Sequence, residues 1–317
     1  MASALGIQGN PGYIDRHGVA ADALDKTIDA LRMRYNKVPL QCSPFFRVEK
    51  ANRGTYKEST FGTALPLPTI NEDSDVLPFN TPVKGFPKEF TIVTYRSAIQ
   101  AELAVTEDEG FPVVKRMMSG LLDSGRLLYE YLMADVLNNM TTAAYKGADG
   151  KALAALDHPF ERAAQGTWSN LDATAAALTH ANFSTARIAM RTRKNEFGDI
   201  TPILVKKLVV PAQLEQKAQE IAVSEKVPEN NLNATNVWAN KFDVVVVDWL
   251  TDSNAWFLVG DRPAEYCGLV LVEGVPLNIT ALTGGDLSTD MVWGNRIRAR
   301  VAAGHTSERN IQYNEGA

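Results

Sequence analysis

The sequence predicts a mixed α+β protein in which one long helix separates an extended, proline-rich region from a compact α/β region. Three observations carry that prediction. Seven of the fifteen prolines fall between Pro39 and Phe90. Apolar residues then recur at helical spacing from Val114 to Met140. From Pro202 onward, short β-branched runs are interleaved with a helical segment.

The first fifty residues read as an arm. After Gly9, Pro11 and Gly12, the segment from Val19 to Tyr35 places Leu24, Ile28 and Leu31 at helical spacing. A helix this short needs a partner surface. In Pro39–Phe90 each proline removes a backbone donor and disfavours helix before it, so the stretch is extended or looped. The acids Glu72, Asp73 and Asp75 interrupt it. Laid out as a hairpin, residues 56–90 reach at most about 55 Å. So long an uncovered segment demands a function or a partner to lie against.

Phe90 to Val105 alternates enough to be a strand. Thr106 to Glu109 matches a capping box, and Pro112 suits a first helical turn. Val114, Met117, Met118, Leu121, Leu128, Leu132, Val136 and Met140 then predict a helix over about 111–145, roughly 50 Å long. Gly120 and Gly125 inside it each weaken it by about 1 kcal/mol relative to alanine. A second helix is predicted at 182–197, with Arg187, Arg191, Arg193 and Lys194 as a basic side, readable as a phosphate contact but better as a solvated face or as salt bridges to a neighbouring subunit. Strands follow at 203–210, 242–248, 255–260, 268–272 and 296–301, with a helix at 211–224. Val244 to Val247 reads as core.

Composition narrows the function classes. With 45% hydrophobic and 22% charged residues the chain is neither disordered nor fibrous. A net charge of −5 gives no global basic field, so nucleic acid is tolerated rather than gripped. Two cysteines, Cys42 and Cys267, are too few for a disulfide scaffold or a four-thiolate zinc site. No secretory signal and no membrane-spanning stretch is read, so the expected place of synthesis is the cytosol.

Searches for chemistry return little. There is no phosphate-binding loop, no G-x-S-x-G elbow, no H-E-x-x-H and no C-x-x-C. His17, His158, His180 and His305 are scattered, with no i, i+4 pair on a helix. Asp157-His158 is the one local dyad, readable as a base oriented by a carboxylate or as a loop histidine bonded to its neighbours. Thr283-Gly-Gly-Asp286 reads as an anion cradle or as a tight turn. Glu72, Asp73 and Asp75 lack the calcium-loop pattern. No catalytic, cofactor or metal residue is assigned, and the chain is expected not to be an enzyme.

The order of segments is more informative than any motif. Ala134-Asp-Val-Leu-Asn-Asn139 closes the long helix. Asp149-Gly-Lys leads on to Asp157-His-Pro159. Lys207-Leu-Val-Val-Pro-Ala212 makes a strand-to-helix step, and Phe242-Asp-Val-Val-Val-Val-Asp-Trp-Leu-Thr-Asp-Ser-Asn-Ala-Trp256 follows. In this order, over about residues 50–300, they resemble tailed-bacteriophage major capsid proteins of the Hong Kong 97 type, and within them the Mu-like major head subunits. Trp249 stands where that pattern has proline.

The resemblance implies an N-terminal arm at 1–50, an extended E-loop at 51–108, a P-domain with a spine helix at 109–180, an A-domain at 181–275, and a return to the P-domain with a C-terminal strand at 276–317. It also implies a structural subunit that assembles with itself into hexamers and pentamers of an icosahedral shell around double-stranded DNA, with portal, scaffold and decoration or cement proteins as partners. The virion is the implied location, reached by assembly in the host cytoplasm. Some family members crosslink a loop lysine to an asparagine. Lys57, Lys84 and Lys88 lie in the candidate loop, and nothing in the sequence identifies partners for them. The alternatives are an encapsulin-like compartment of the same fold, and an enzyme using Asp157 and His158.

Overall fold

A computed structural model of the 317-residue chain describes residues 39–52, 54–61, 84–102, 111–161, 166–195, 198–227, 234–261, 268–282 and 291–316. The predicted arm helix at 19–35, the capping box at 106–109, the acids at 72–75 and the glycine turn at 283–286 lie outside the described residues.

The proline-rich region is extended, as its composition requires. β1 is Arg47–Lys50, β2 Thr55–Phe61 and β3 Lys84–Thr91. β2 and β3 pair antiparallel, with Tyr56 opposite Phe90 and Lys57 opposite Glu89, so the expected hairpin forms. Pro87 is tolerated because β2–β3 is a two-stranded ribbon whose edges need no further donors. The single strand expected at 90–105 is two: β3 ends at Thr91, and β4 runs Val93–Glu102 after a break at the buried Ile92.

The long helix, α1, is Phe111–Asn138, 28 residues or about 42 Å. It stops seven residues short of the expected end at 145. Turns at 139–145 replace its last part, with Asn139 Nδ2 donating to Asp135 Oδ1 at 2.9 Å and Tyr145 Oη to Asp135 Oδ2 at 3.0 Å. These side chains hold the backbone in an alternative to helix.

β5 (His158–Pro159) and β6 (Thr167–Trp168) form a small ribbon. α2 is His180–Arg191, capped by Thr179, whose Oγ1 accepts from the Asn182 N–H. It ends six residues before the predicted 197, because Arg193 turns into the interior and Lys194 bridges Ile200. β7 is Val205–Val210, α3 Glu215–Val223, β8 Asp243–Val246 and β9 Trp256–Gly260. β10 (Leu269–Ala281) and β11 (Met291–His305), 13 and 15 residues long, far exceed the short strands expected there. β12, Ile311–Asn314, was not predicted as a separate element.

Two four-stranded sheets result, ordered β1-β10-β11-β4 and β12-β9-β7-β8. In the first, β1 pairs parallel with β10, Arg47 opposite Val270 and Lys50 opposite Glu273. In the second, β8 lies at an edge. That position corrects the reading of Val244 to Val247 as core: only Val247 is fully buried, and Val244 to Val246 are half-buried. The predicted alternation at 296–301 is present, with Ile297, Ala299 and Val301 inside and Arg296 and Arg298 outside.

The chain divides into two compact units. Of the described residues, one comprises 39, 96–102, 111–126, 277–282 and 291–298. Its described core sets Val114, Met118, Leu121 and Leu122 of α1 against Ile297, Ile99, Leu277 and Ile279. Gly125 is required there: a Cβ would lie 2.6 Å from Ile297 Cδ1 and 2.9 Å from Leu277 Cδ2. The other comprises residues 40–95, 127–276 and 299–317. Its larger core joins Phe183 and Met190 of α2, Leu208 and Val210 of β7, Ile221 of α3, and Trp256 and Leu258 of β9. The Trp256 indole N–H is satisfied by the Ala176 carbonyl at 2.9 Å, so burial of this side chain carries no unmet donor. A second cluster (Ala51, Phe90, Ile92, Val270, Val272) anchors the base of the β2–β3 ribbon.

Candidate functional site

The most concentrated chemistry lies in the larger unit, where the loop after α1 meets the segment that follows β11. Gly147 N donates to Lys151 O at 2.6 Å, and Lys151 N to Asp149 Oδ1 at 3.0 Å. The turn closes at Gly150, whose φ of 80° favours glycine. This turn directs the Asp149 carboxylate inward. His158, wholly buried, brings its Nδ1 to 2.6 Å from Asp149 Oδ2 and its Nε2 to 3.0 Å from Asn170 Oδ1.

Asn170 is oriented by its own bonds. Its Nδ2 donates to the carbonyls of Leu153 at 2.7 Å and Glu308 at 3.2 Å, and its Oδ1 also accepts from the Ala155 N–H. The His158 ring stacks on Trp168 with centroids 4.8 Å apart. The same indole lies beneath Arg193 and Arg309, whose guanidinium carbons are 5.0 and 5.6 Å from the ring centre.

Glu308 and His305 complete the cluster. Both are buried, and neither Glu308 Oε1 nor His305 Nε2 has a hydrogen-bond partner; the two atoms are 3.8 Å apart. Burial, with Asp149 and Glu161 adding negative charge, pushes the Glu308 carboxyl well above the usual carboxylate range. Burial, then the nearby Lys88 ammonium, lowers His305 to about 3, so its imidazole is neutral. For Asp149, burial acts upward, but the His158 hydrogen bond and the Lys151 amide outweigh it and the carboxyl ends below its ordinary value. Ligand-capable atoms of Asp149, His158 and Glu308 all lie within 4.8 Å of one another.

The sequence dyad is therefore corrected. Asp157 is exposed and pairs with Lys151 at 2.5 Å, so the carboxylate that meets His158 is Asp149, nine residues away. His158 itself stands in β5, bonded to Asp149 and Asn170 rather than to the residue before it.

The basic side of α2 is also corrected at one position. Arg193 is buried: it donates from Nη1 to the carbonyls of Arg309 and of Ile311, the latter at 3.1 Å, and from Nη2 to Gln312 Oε1 at 2.7 Å. Arg187 instead lies over the Trp238 ring, 4.1 Å from its centre. Of the three loop lysines, Lys57 pairs with Glu89 at 2.9 Å, Lys84 opens β3, and Lys88 donates to the Lys146 carbonyl. Asn170, His305, Glu308 and Arg309 carried no sequence signal, since nothing in their spacing tied residues 305–309 to residues 147–170.

The described residues thus offer a fold with a long helix, a two-stranded ribbon and a buried polar knot. Comparison with known proteins gives the class. A family model described as phage capsid protein matches residues 88–314, and the chain belongs to that family. It is a structural subunit of a phage head.

No curated protein sequence matches. Among solved structures, the capsid of bacteriophage JBD30 superposes with a TM-score of 0.54 at 15% identity, covering 68% of this chain and 92% of that one. The JBD30 procapsid gives 0.51 at 12% identity, covering 95% and 75%. The capsid of a native GTA particle gives 0.53 at 10% identity, covering 87% and 90%. These likenesses establish the tailed-phage capsid fold. Among the described residues no helix is long and apolar enough to cross a membrane.

Proposed function

We propose that this protein is the major head subunit of a Mu-like tailed phage, assembling with itself into hexamers and pentamers of an icosahedral shell around double-stranded DNA. The observation that carries this reading is the β2–β3 ribbon. It forms its own two-stranded sheet, and of its described residues Tyr56 and Phe90, at its base, are the ones that join an apolar core cluster. An isolated two-stranded ribbon is marginal in water, so the remainder gains stability by lying across another copy. Repeated heterologous contacts of that kind close into a container.

On this reading residues 1–50 are an arm, 51–108 the E-loop, 109–180 with 276–317 the P-domain, and 181–275 the A-domain. Portal, scaffold and cement proteins are the further partners, assembly takes place in the host cytoplasm, and the chain carries no catalytic activity. Net negative charge suits an inner wall that leaves packaged DNA unpinned.

Electron microscopy of the purified chain should show closed particles or capsomer rings. Replacing residues 57–88 by a short Gly/Ser linker should leave a folded subunit that no longer assembles. A wild-type chain that stays monomeric at every concentration overturns the proposal.

A further inference from the structure

We propose that Asp149, His158, His305 and Glu308 form a structural binding site for a divalent transition-metal ion of the zinc type, clipping the loop after α1 to the segment that follows β11. The proposal stands apart from the shell reading, since all four residues belong to one subunit.

The donor atoms converge. Glycine at 147 lets these groups crowd together, since a Cβ there would clash with Glu308 Oε1, His305 Nε2 and Asp149 Oδ1, all within 3.0 Å of it. Two of these atoms, Glu308 Oε1 and His305 Nε2, are buried without a hydrogen-bond partner. A buried polar atom left unmet costs about 1–3 kcal/mol, more for a charged group. A cation between them removes that cost for both.

His158 is prepared as a ligand in the way metal-bound histidines are. Asn170 Oδ1 is an acceptor held in place by the two bonds of its own amide nitrogen, so His158 Nε2 donates to it, and the Nδ1 proton shared with Asp149 Oδ2 at 2.6 Å is the one a bound cation displaces to solvent. An outer hydrogen bond of this kind fixes the tautomer and orientation of a ligating imidazole.

The donor set selects the ion. Two imidazole nitrogens and two carboxylates match the four-coordinate N/O sets of zinc. They are too few, and too rich in nitrogen, for calcium or magnesium, which take six or more oxygens. Tetrahedral donors about 2.1 Å from zinc stand about 3.4 Å apart. The donors of Asp149, His158 and Glu308 lie within 4.8 Å of one another, and His305 Nε2 joins them from 3.8 Å beside Glu308 Oε1, so side-chain movement brings the four onto one ion. Asp149 and Glu308 supply the countercharge, and Lys88 offsets part of it from the rim.

The test uses the full-length protein freed of metal by chelation, then titrated calorimetrically with zinc chloride, with magnesium and calcium chloride as controls. Expected are one zinc per chain at micromolar or tighter affinity, little response to magnesium or calcium, and a rise in unfolding temperature. Glu308→Gln and His305→Asn should each weaken binding at least tenfold, while Asp157→Asn should not change it. Absence of stoichiometric zinc binding by the wild type overturns the proposal, as does binding that survives both ligand substitutions. If those variants fail to fold, X-ray absorption of the zinc-loaded wild type decides: a shell with two imidazoles and carboxylate oxygens supports the site, and any shell with fewer than two imidazoles overturns it.

Discussion

Asp149 Oδ2 and His158 Nδ1 meet at 2.6 Å inside the protein, whereas Asp157, the immediate neighbour of His158, is exposed and pairs with Lys151. The same loop therefore holds one buried pair and one solvated pair, and their energetic weights differ.

Asp149→Ala should destabilise the chain by about 2 kcal/mol or more, since it strips a buried imidazole of a charge-assisted hydrogen bond. Asp157→Ala should change stability by less than about 1 kcal/mol, the usual weight of an exposed ion pair. Urea denaturation of both variants compares them directly, and equal losses would contradict the assignment.

The two helix glycines differ in the same measurable way. Nothing lies within 4 Å of a Cβ built on Gly120, so Gly120→Ala should stabilise α1 by up to about 1 kcal/mol. At Gly125 the methyl group meets Ile297 and Leu277, so Gly125→Ala should forfeit that gain and Gly125→Leu should cost about 1–3 kcal/mol. Thermal unfolding of the three variants reads the order.

Cys42 is fully buried, and burial followed by the charge of Glu130 pushes its thiol up to about 12. In a Cys267→Ser background, the remaining thiol should resist alkylation at pH 8 in the folded protein and react readily in urea. Fast modification without denaturant would show the site to be open.

Tyr313, stacked on Phe257 at 5.1 Å, has its phenol raised to about 12 by burial and by Asp252 and Glu315. Its raised value means the folded state keeps a proton that the unfolded chain loses near pH 10. Stability is therefore full below pH 10 and falls as pH rises toward 12. Tyr313→Phe should flatten that alkaline decline, which unfolding followed between pH 9 and 12 measures.

Legibility in the sequence followed the range of the forces involved. α1 and the 296–301 alternation were readable because a periodic apolar stripe is a local signal, and the proline-rich segment because proline acts on its own residue and the one before. The end of α1 was misread because the Asp135–Tyr145 bond, ten residues long, competes with helix in a way no periodicity reports. β10 and β11 were seen only in part, since Glu273, Gly274 and Pro276 interrupt the apolar run of β10, and Gly294 and Asn295 that of β11. The buried knot was readable as a segment resemblance through Asp149 and His158, but not as chemistry: Glu308 stands 150 residues from His158, and only the fold brings them together.

The parallel pairing of β1 with β10 also sets a timetable for synthesis. Val48 cannot find Leu271 until more than two hundred further residues have left the ribosome. Until then the base of the ribbon lacks two of the five buried residues of its anchoring cluster, Val270 and Val272. Long-range closure of this kind is slow compared with local folding. The base of the ribbon is thus completed only as translation nears its end.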